Sequence, residues 1–303
     1  MIVLLLVTQN EGELLRWNLD HHLASGVDHV GVGDNNSTDD PAEIVRSFGD
    51  RASYQRFDSF HDRQIVRTAL LDAVRDRQPV TWAGVADTDE FFWSPDGDLR
   101  SVLAAAPADA MAVNFDMKLF LPTALDLPGL PVFMSREHRS ASSDSPLHTS
   151  YSVGKTFYRS DWLRTVREEH WDPAVPHPVV RVDQVAGVSP ETAVHHYMVQ
   201  DEEQFVQKVV RLISWAQEPD GFLAKRRWRA TPERERDLPR WTAPFKKQWW
   251  SVYQQGGEEA VRAYYRNVYT LSPERVRETI ADGALVADPA FATWARSRYA
   301  PGS

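Results

Sequence analysis

Two aspartates stand one residue apart in WAGVADTDEFFW (82–93), directly behind an apolar run and just ahead of three aromatics. Two kinds of chemistry suit Asp87 and Asp89. One Asp can close a turn at a strand end by bonding nearby backbone. Alternatively, the two carboxylates can sit at the mouth of a sheet, where one coordinates a hard cation and the other bonds a ribose hydroxyl or a metal-bound water. A cation held there neutralises the charge that develops on a departing diphosphate. Read alone, the pair is a turn. Other polar residues that end apolar runs favour the site: Gln9, Asn10 and Glu11 after the first run, Asp34 and Asn35 after the second. Bland roles stay open for these too, since Asp34 can cap a helix and Asn35 with Asn36 can make a turn. His195 and His196, in TAVHHY, stand in a strand-like setting in which one ring of the pair points into the core. His21 and His22 lie on a helix-patterned stretch, cannot share a face there, and read as packing or solvent residues.

The elements that must position these side chains follow from periodicity. IVLLLV (2–7) is a continuous apolar run, as in a strand covered on both faces. EGELLRWNLDHHLASG follows, with Leu14, Leu15, Leu19 and Leu23 at helical spacing and Gly26 at the end. A second short strand, VDHVGVGD, leads into a helix that Ser37 or Asp39 would cap, with Pro41 in its first turn. RASYQRF predicts a third strand, DRQIVRTALLDAVRD a helix, and PVTWAGVAD a fourth strand that ends at the aspartates. This alternation predicts a parallel, doubly wound sheet, in which ligands bind beyond the carboxyl ends of the strands. Asn10, Glu11, Asp34, Asn35, Asp87 and Asp89 all fall at such ends. Further on, DAMAVNFDMKLFL and VGKTFYR predict strands, and the Ser-rich stretch 135–152 a loop. From Asp201 the pattern is mostly helical, with a Pro- and Arg-rich break near 216–245 that suits a hinge or lid.

Composition bounds the function. The chain has 303 residues, 42% of them hydrophobic, with 11 Trp, 9 Tyr and 13 Phe, enough for a sizeable core. A formal net charge of −9 argues against a nucleic-acid partner but permits an anionic substrate at a local basic cluster. With no cysteine, any metal must be held by carboxylate, imidazole or substrate oxygens, which suits Mg²⁺ or Mn²⁺. The first apolar run is too short to span a bilayer and lacks a basic flank, so the expectation is a cytoplasmic protein, with peripheral membrane association left open.

TQNEGELLRWNLDHHLASGVDHVGVGDNNSTDD taken with WAGVADTDEFFW resembles the glycosyltransferase family 2-like proteins of the GT-A fold, in the branch with an NE…HH…DNxSxD opening and a later DxDEF. VGKTFYR and HHYMVQDEEQFVQKVVR are similar to that branch as well, so the resemblance covers roughly 2–211; Gln200-Asp201 depart from its pattern. The resemblance implies a Rossmann-like α/β fold, its mostly parallel sheet flanked by helices, over 1–215. A helical C-terminal extension, 216–303, would pack on the same domain.

It also implies roles. Thr8, Asn10 and Glu11 would meet the nucleotide, and Asp34 and Asn35 would face base and ribose. Asp87 and Asp89 would serve metal and diphosphate, with His196 as a third metal ligand. His170, in REEHW, is the implied base, with Glu168, Glu169, Asp183 and Glu137 as alternatives. Arg63, and the basic run AKRRWRA (224–230) in the lid stretch, could contact phosphate, although a solvated helix face explains the run equally well. The expected activity is a metal-dependent transfer of a sugar from a nucleoside-diphosphate sugar to an acceptor hydroxyl on a glycan or small natural product, with inversion. A nucleotidyltransferase is the first alternative; it would show a Gly-rich, basic loop after the first strand, where TQNEGELL has one Gly and no Lys or Arg. A non-catalytic sugar-binding protein is the second.

Overall fold

The computed structural model describes residues 1–57, 69–70, 72–73, 79–142, 145, 147, 154–160, 185–217 and 244–299. They form two compact units. One comprises 1–118 with 152–196, the other 119–151 with 197–303, so the chain passes between them after 118, 151 and 196. Most of the lid stretch, 218–243, lies outside the described residues.

The first unit is built on a sheet in the order β3-β2-β1-β4-β8-β6-β10-β5, with β9 beside β6. Its strands are β1 (Ile2–Thr8), β2 (His29–Asn35), β3 (Ala52–Phe57), β4 (Trp82–Asp87), β5 (Glu90–Trp93), β6 (Ala112–Leu119), β8 (Gly154–Arg159), β9 (Val185–Gly187) and β10 (Ala193–His196). β1 pairs in parallel with β2 and β4, and β2 with β3, as the alternating pattern predicts. The far half is mixed: β8 runs antiparallel to β4 and β6, and β5 antiparallel to β10.

β1 shows why an unbroken apolar run becomes a central strand. Successive side chains point to opposite faces, so Ile2, Leu4 and Leu6 enter one core cluster and Val3, Leu5 and Val7 another. Each fully buried aliphatic chain contributes about 1.5–3 kcal/mol relative to exposure. Helix α1 (Gly12–Ala24) covers the first face with Leu15, Leu19 and Leu23. Gly26 ends it at φ +97°, where a Cβ would also meet the Asp98 carboxylate. Helix α2 (Pro41–Arg46) starts at Asp40, whose side chain accepts from the Glu43 N–H; the expected caps Ser37 and Asp39 instead bond the 10–12 loop. Across the sheet, Gly84 admits the Phe157 ring: a Cβ there would lie 2.5 Å from it.

The second unit is chiefly helical. Helix α3 (Glu202–Gln217) and the helical stretch Pro244–Tyr264 enclose Phe205, Val209, Trp249 and Val261, with Tyr265 and Tyr269 packed against them. That stretch bends at Gly256 and Gly257, which leave helical geometry. The Ser-rich stretch expected to be a loop contributes β7 (His138–Ser140), which pairs antiparallel with β11 (Leu285–Ala287). A strand in the C-terminal third was not anticipated; three residues are too few for periodicity to register.

Candidate functional site

Of the described candidate residues, all but Glu137 belong to the first unit; Glu137, in the second, is paired with Arg296 at 2.6 Å. At the carboxyl end of β4 the chain turns within two residues into β5, and the turn is closed from inside. The Asp87 N–H donates to Glu90 Oε2 at 2.8 Å. Because β8 runs antiparallel to β4, its N-terminal end lies at the same edge and brings Lys155 there. The Lys155 ammonium sits 2.9 Å from Glu90 Oε2 and 3.8 Å from Asp87 Oδ2. Lys155 is 4% exposed and the Glu90 side chain 2%, so a desolvated cation holds a desolvated carboxylate.

Asp89 points elsewhere. Its Oδ1 is 3.6 Å from His196 Nε2. The β5–β10 register pairs His196 with Glu90 and so carries the imidazole to the turn. Ligand atoms from Asp89, Glu90 and His196 all lie within 4.8 Å of one another, and all three residues are buried. Of the three metal-ligand candidates, Asp89 and His196 are in this cluster; Asp87 is beside Lys155, and Glu90 completes the triad. Two hard carboxylates and an imidazole make a donor set suited to Mn²⁺ or Mg²⁺.

At the neighbouring strand ends, Asp34 is fully buried with both oxygens engaged. Oδ2 accepts from the Tyr54 hydroxyl at 2.6 Å and from Arg56 Nη1 at 3.0 Å, while Oδ1 accepts from the Ser37 N–H at 2.8 Å. Burial, followed by this bond to a carboxylate, pushes the Tyr54 phenol up to about 12. Asn10, in the left-handed region at φ 55°, accepts at Oδ1 from the Thr38 N–H and hydroxyl; its own N–H donates to Ser37 Oγ. These bonds tie the β1–α1 loop to the β2–α2 loop. Asn35 is buried beside Asp34, and Glu11 directly precedes α1. Thr8, paired with Asp34 in the register, buries a hydroxyl without a hydrogen-bond partner among the described residues. Asp34 is not the helix cap that its bland reading offered, since Asp40 caps α2; its carboxylate instead ties Ser37, Tyr54 and Arg56 together. His170, Arg63, Glu168, Glu169, Asp183 and the basic run 224–230 lie outside the described residues.

His21 and His22 are packing residues, as one of the two expected roles has it, but they do share a direction. Both are fully buried, and both reach the same strand. His21 Nε2 lies 2.6 Å from the Phe92 carbonyl oxygen, and the Phe92 N–H donates to His22 Nε2 at 3.0 Å. His22 Nδ1 is 2.8 Å from Asn18 Oδ1. Burial and then the neighbouring His21 hold the His22 imidazole well below its usual range, which keeps its Nε2 an acceptor. Asn18 Nδ2 donates to the carbonyls of Thr88 and Glu90 at 3.0 and 2.8 Å. The signal in the sequence was three polar residues, Asn18, His21 and His22, spaced at three and four on a helix whose other residues include the core leucines.

Fold and site together define a mixed α/β protein with a candidate metal centre at the carboxyl ends of its strands. No protein-family model matches the chain, and no curated protein matches it. Among solved structures, S. aureus TarS is 12% identical with a TM-score of 0.40 over 88% of this chain; the chain spans about half of that one, 52%. S. aureus TarS 1-349 in complex with UDP-GlcNAc is 12% identical with a TM-score of 0.39, covering 99% of this chain and 93% of that one. Mannosyltransferase PcManGT from Pyrobaculum calidifontis, in complex with GDP-Man and Mn²⁺, is 13% identical with a TM-score of 0.37, covering 98% of this chain and 79% of that one. Likenesses this distant assign neither family nor activity.

Proposed function

We propose that the chain is a metal-dependent glycosyltransferase that moves a sugar from a nucleoside-diphosphate sugar to an acceptor hydroxyl, with inversion. The observation that carries this reading is the convergence of Asp89, Glu90 and His196 where β4 and β10 end and β5 begins. Formal charge supports it: Asp87, Asp89 and Glu90 against Lys155 leave two negative charges, which one divalent cation balances. Asp89, Glu90 and His196 would hold Mn²⁺ or Mg²⁺, which when bound supplies positive charge to the leaving diphosphate. Lys155 orients Glu90 and Asp87 and keeps their charge from dispersing the turn. Asp87, the most accessible carboxylate of the three, is left to meet the donor. Thr8, Asn10, Glu11, Asp34 and Asn35 form the nucleotide side, with Thr8 offering its hydroxyl, and Arg63 is assigned to phosphate. His170 is the proposed base for the acceptor hydroxyl.

Thermal unfolding with UDP-GlcNAc or GDP-Man, each with and without Mn²⁺, tests the reading, because a ligand that binds the native state raises its apparent stability. A donor-dependent rise that requires Mn²⁺, together with sugar release lost in folded Asp89→Ala, is the expected result. Full turnover in that variant would sink it.

A further inference from the structure

β5 ends the sheet path, so among the described residues its second edge has no partner strand. Backbone groups on such an edge must be covered or solvated. Here α1 takes the place of a strand. Asn18 donates to the Thr88 and Glu90 carbonyls, His21 meets the Phe92 carbonyl, and His22 accepts from the Phe92 N–H. These residues are fully buried, and Asn18 and His22 are bonded to one another. The carbonyls that Asn18 holds flank Asp89 on either side. Apolar side chains would have covered this edge as well as they cover the rest of the α1 face, but they would not have fixed the backbone from which Asp89 and Glu90 project.

We propose that Asn18, His21 and His22 are positioning residues for the metal centre: they lock the backbone on both sides of Asp89 and so set the metal affinity of the site. The proposal rests on the metal-centre reading above. Partners behind a ligand are part of a metal site, and their loss typically weakens binding about 10- to 100-fold.

The test measures Mn²⁺ affinity of the full chain from the free-ion electron paramagnetic resonance signal, with fold checked by circular dichroism and melting. Asn18→Leu removes both donors and is expected to weaken Mn²⁺ binding about 10- to 100-fold. His22→Gln retains an acceptor for the Phe92 N–H and should keep most of the affinity. Leu19→Ala is the control: it empties core volume on the same helix without touching the turn, so it should melt lower and bind Mn²⁺ as wild type does. If Asn18→Leu does not fold, Asn18→Ser is compared with Leu19→Ala in its place. A folded Asn18 variant that binds like wild type, or a Leu19→Ala loss as large as that of the Asn18 variant, overturns the positioning role and leaves the metal centre standing. A wild-type chain that binds no Mn²⁺ overturns both.

Discussion

Glu90 Oε2 is shared between the Lys155 ammonium, at 2.9 Å, and the Asp87 N–H, at 2.8 Å, while the same side chain offers an oxygen to the Asp89–His196 cluster. One buried carboxylate thus serves a structural cation and a candidate metal site together. Lys155→Met removes the cation and leaves Glu90 uncompensated, a change that costs about 3–5 kcal/mol in a buried pair. A metal ion can restore part of the lost positive charge. Denaturant unfolding of Lys155→Met should therefore show a larger stabilisation by Mn²⁺ than wild type shows. An equal response in both chains would mean that Glu90 is not shared.

Asp87 and Glu90 should separate in function although they are three residues apart and joined by a hydrogen bond. Glu90→Gln takes a charge from the donor set and should weaken Mn²⁺ binding about 100-fold, the upper end of what even outer-shell losses cost. Asp87→Asn leaves Asp89, Glu90 and His196 in place, so Mn²⁺ should bind within about threefold of wild type while donor turnover falls. Calorimetric Mn²⁺ titration beside a sugar-release assay reads both. Loss of metal binding in Asp87→Asn would put Asp87, not Glu90, on the metal.

The parallel half of the fold was written plainly in the sequence, because central strands such as Ile2–Thr8 must be apolar on both faces and therefore stand out. The placement of Asp34, Asn35, Asp87 and Asp89 at strand ends followed from it. What periodicity could not supply was cross-strand register. Only the β5–β10 pairing sets His196 opposite Glu90, and only the antiparallel β8 brings Lys155 to the end of β4. The shared direction of the two α1 histidines was missed for a similar reason. Helical spacing tells which residues face inward, but not that an edge strand waits there with unpaired backbone groups.

Gly84 is a packing requirement that can be measured directly. A methyl at this position would lie 2.5 Å from the Phe157 ring, which itself stacks edge-on with Phe92 in a filled core. Overpacking of this kind typically costs about 1–3 kcal/mol. Gly84→Ala should lower the unfolding free energy read from denaturant titration by that amount, and adding Phe157→Leu should recover part of it. Simple additivity of the two losses would show that the ring is not the obstacle.

Tyr54 gives the Asp34 corner of the site a pH signature. Its phenol is pushed up from 10.0 to about 12 by burial and by its bond to the Asp34 carboxylate. The folded state therefore prefers the protonated phenol more than the unfolded chain does. That preference contributes stability in full below pH 10.0 and is lost as pH rises towards about 12. Tyr54→Phe lacks the titrating group and removes one hydrogen bond to a charged acceptor, a loss of about 1.5–3 kcal/mol when buried and less here because the ring is partly exposed. Urea unfolding at pH 8 and pH 11 should show wild type the more stable at the lower pH, with the gap closing at the higher one. A gap that persists unchanged at pH 11 would mean that Asp34 is held by Arg56 and the Ser37 N–H, with the Tyr54 hydroxyl contributing nothing.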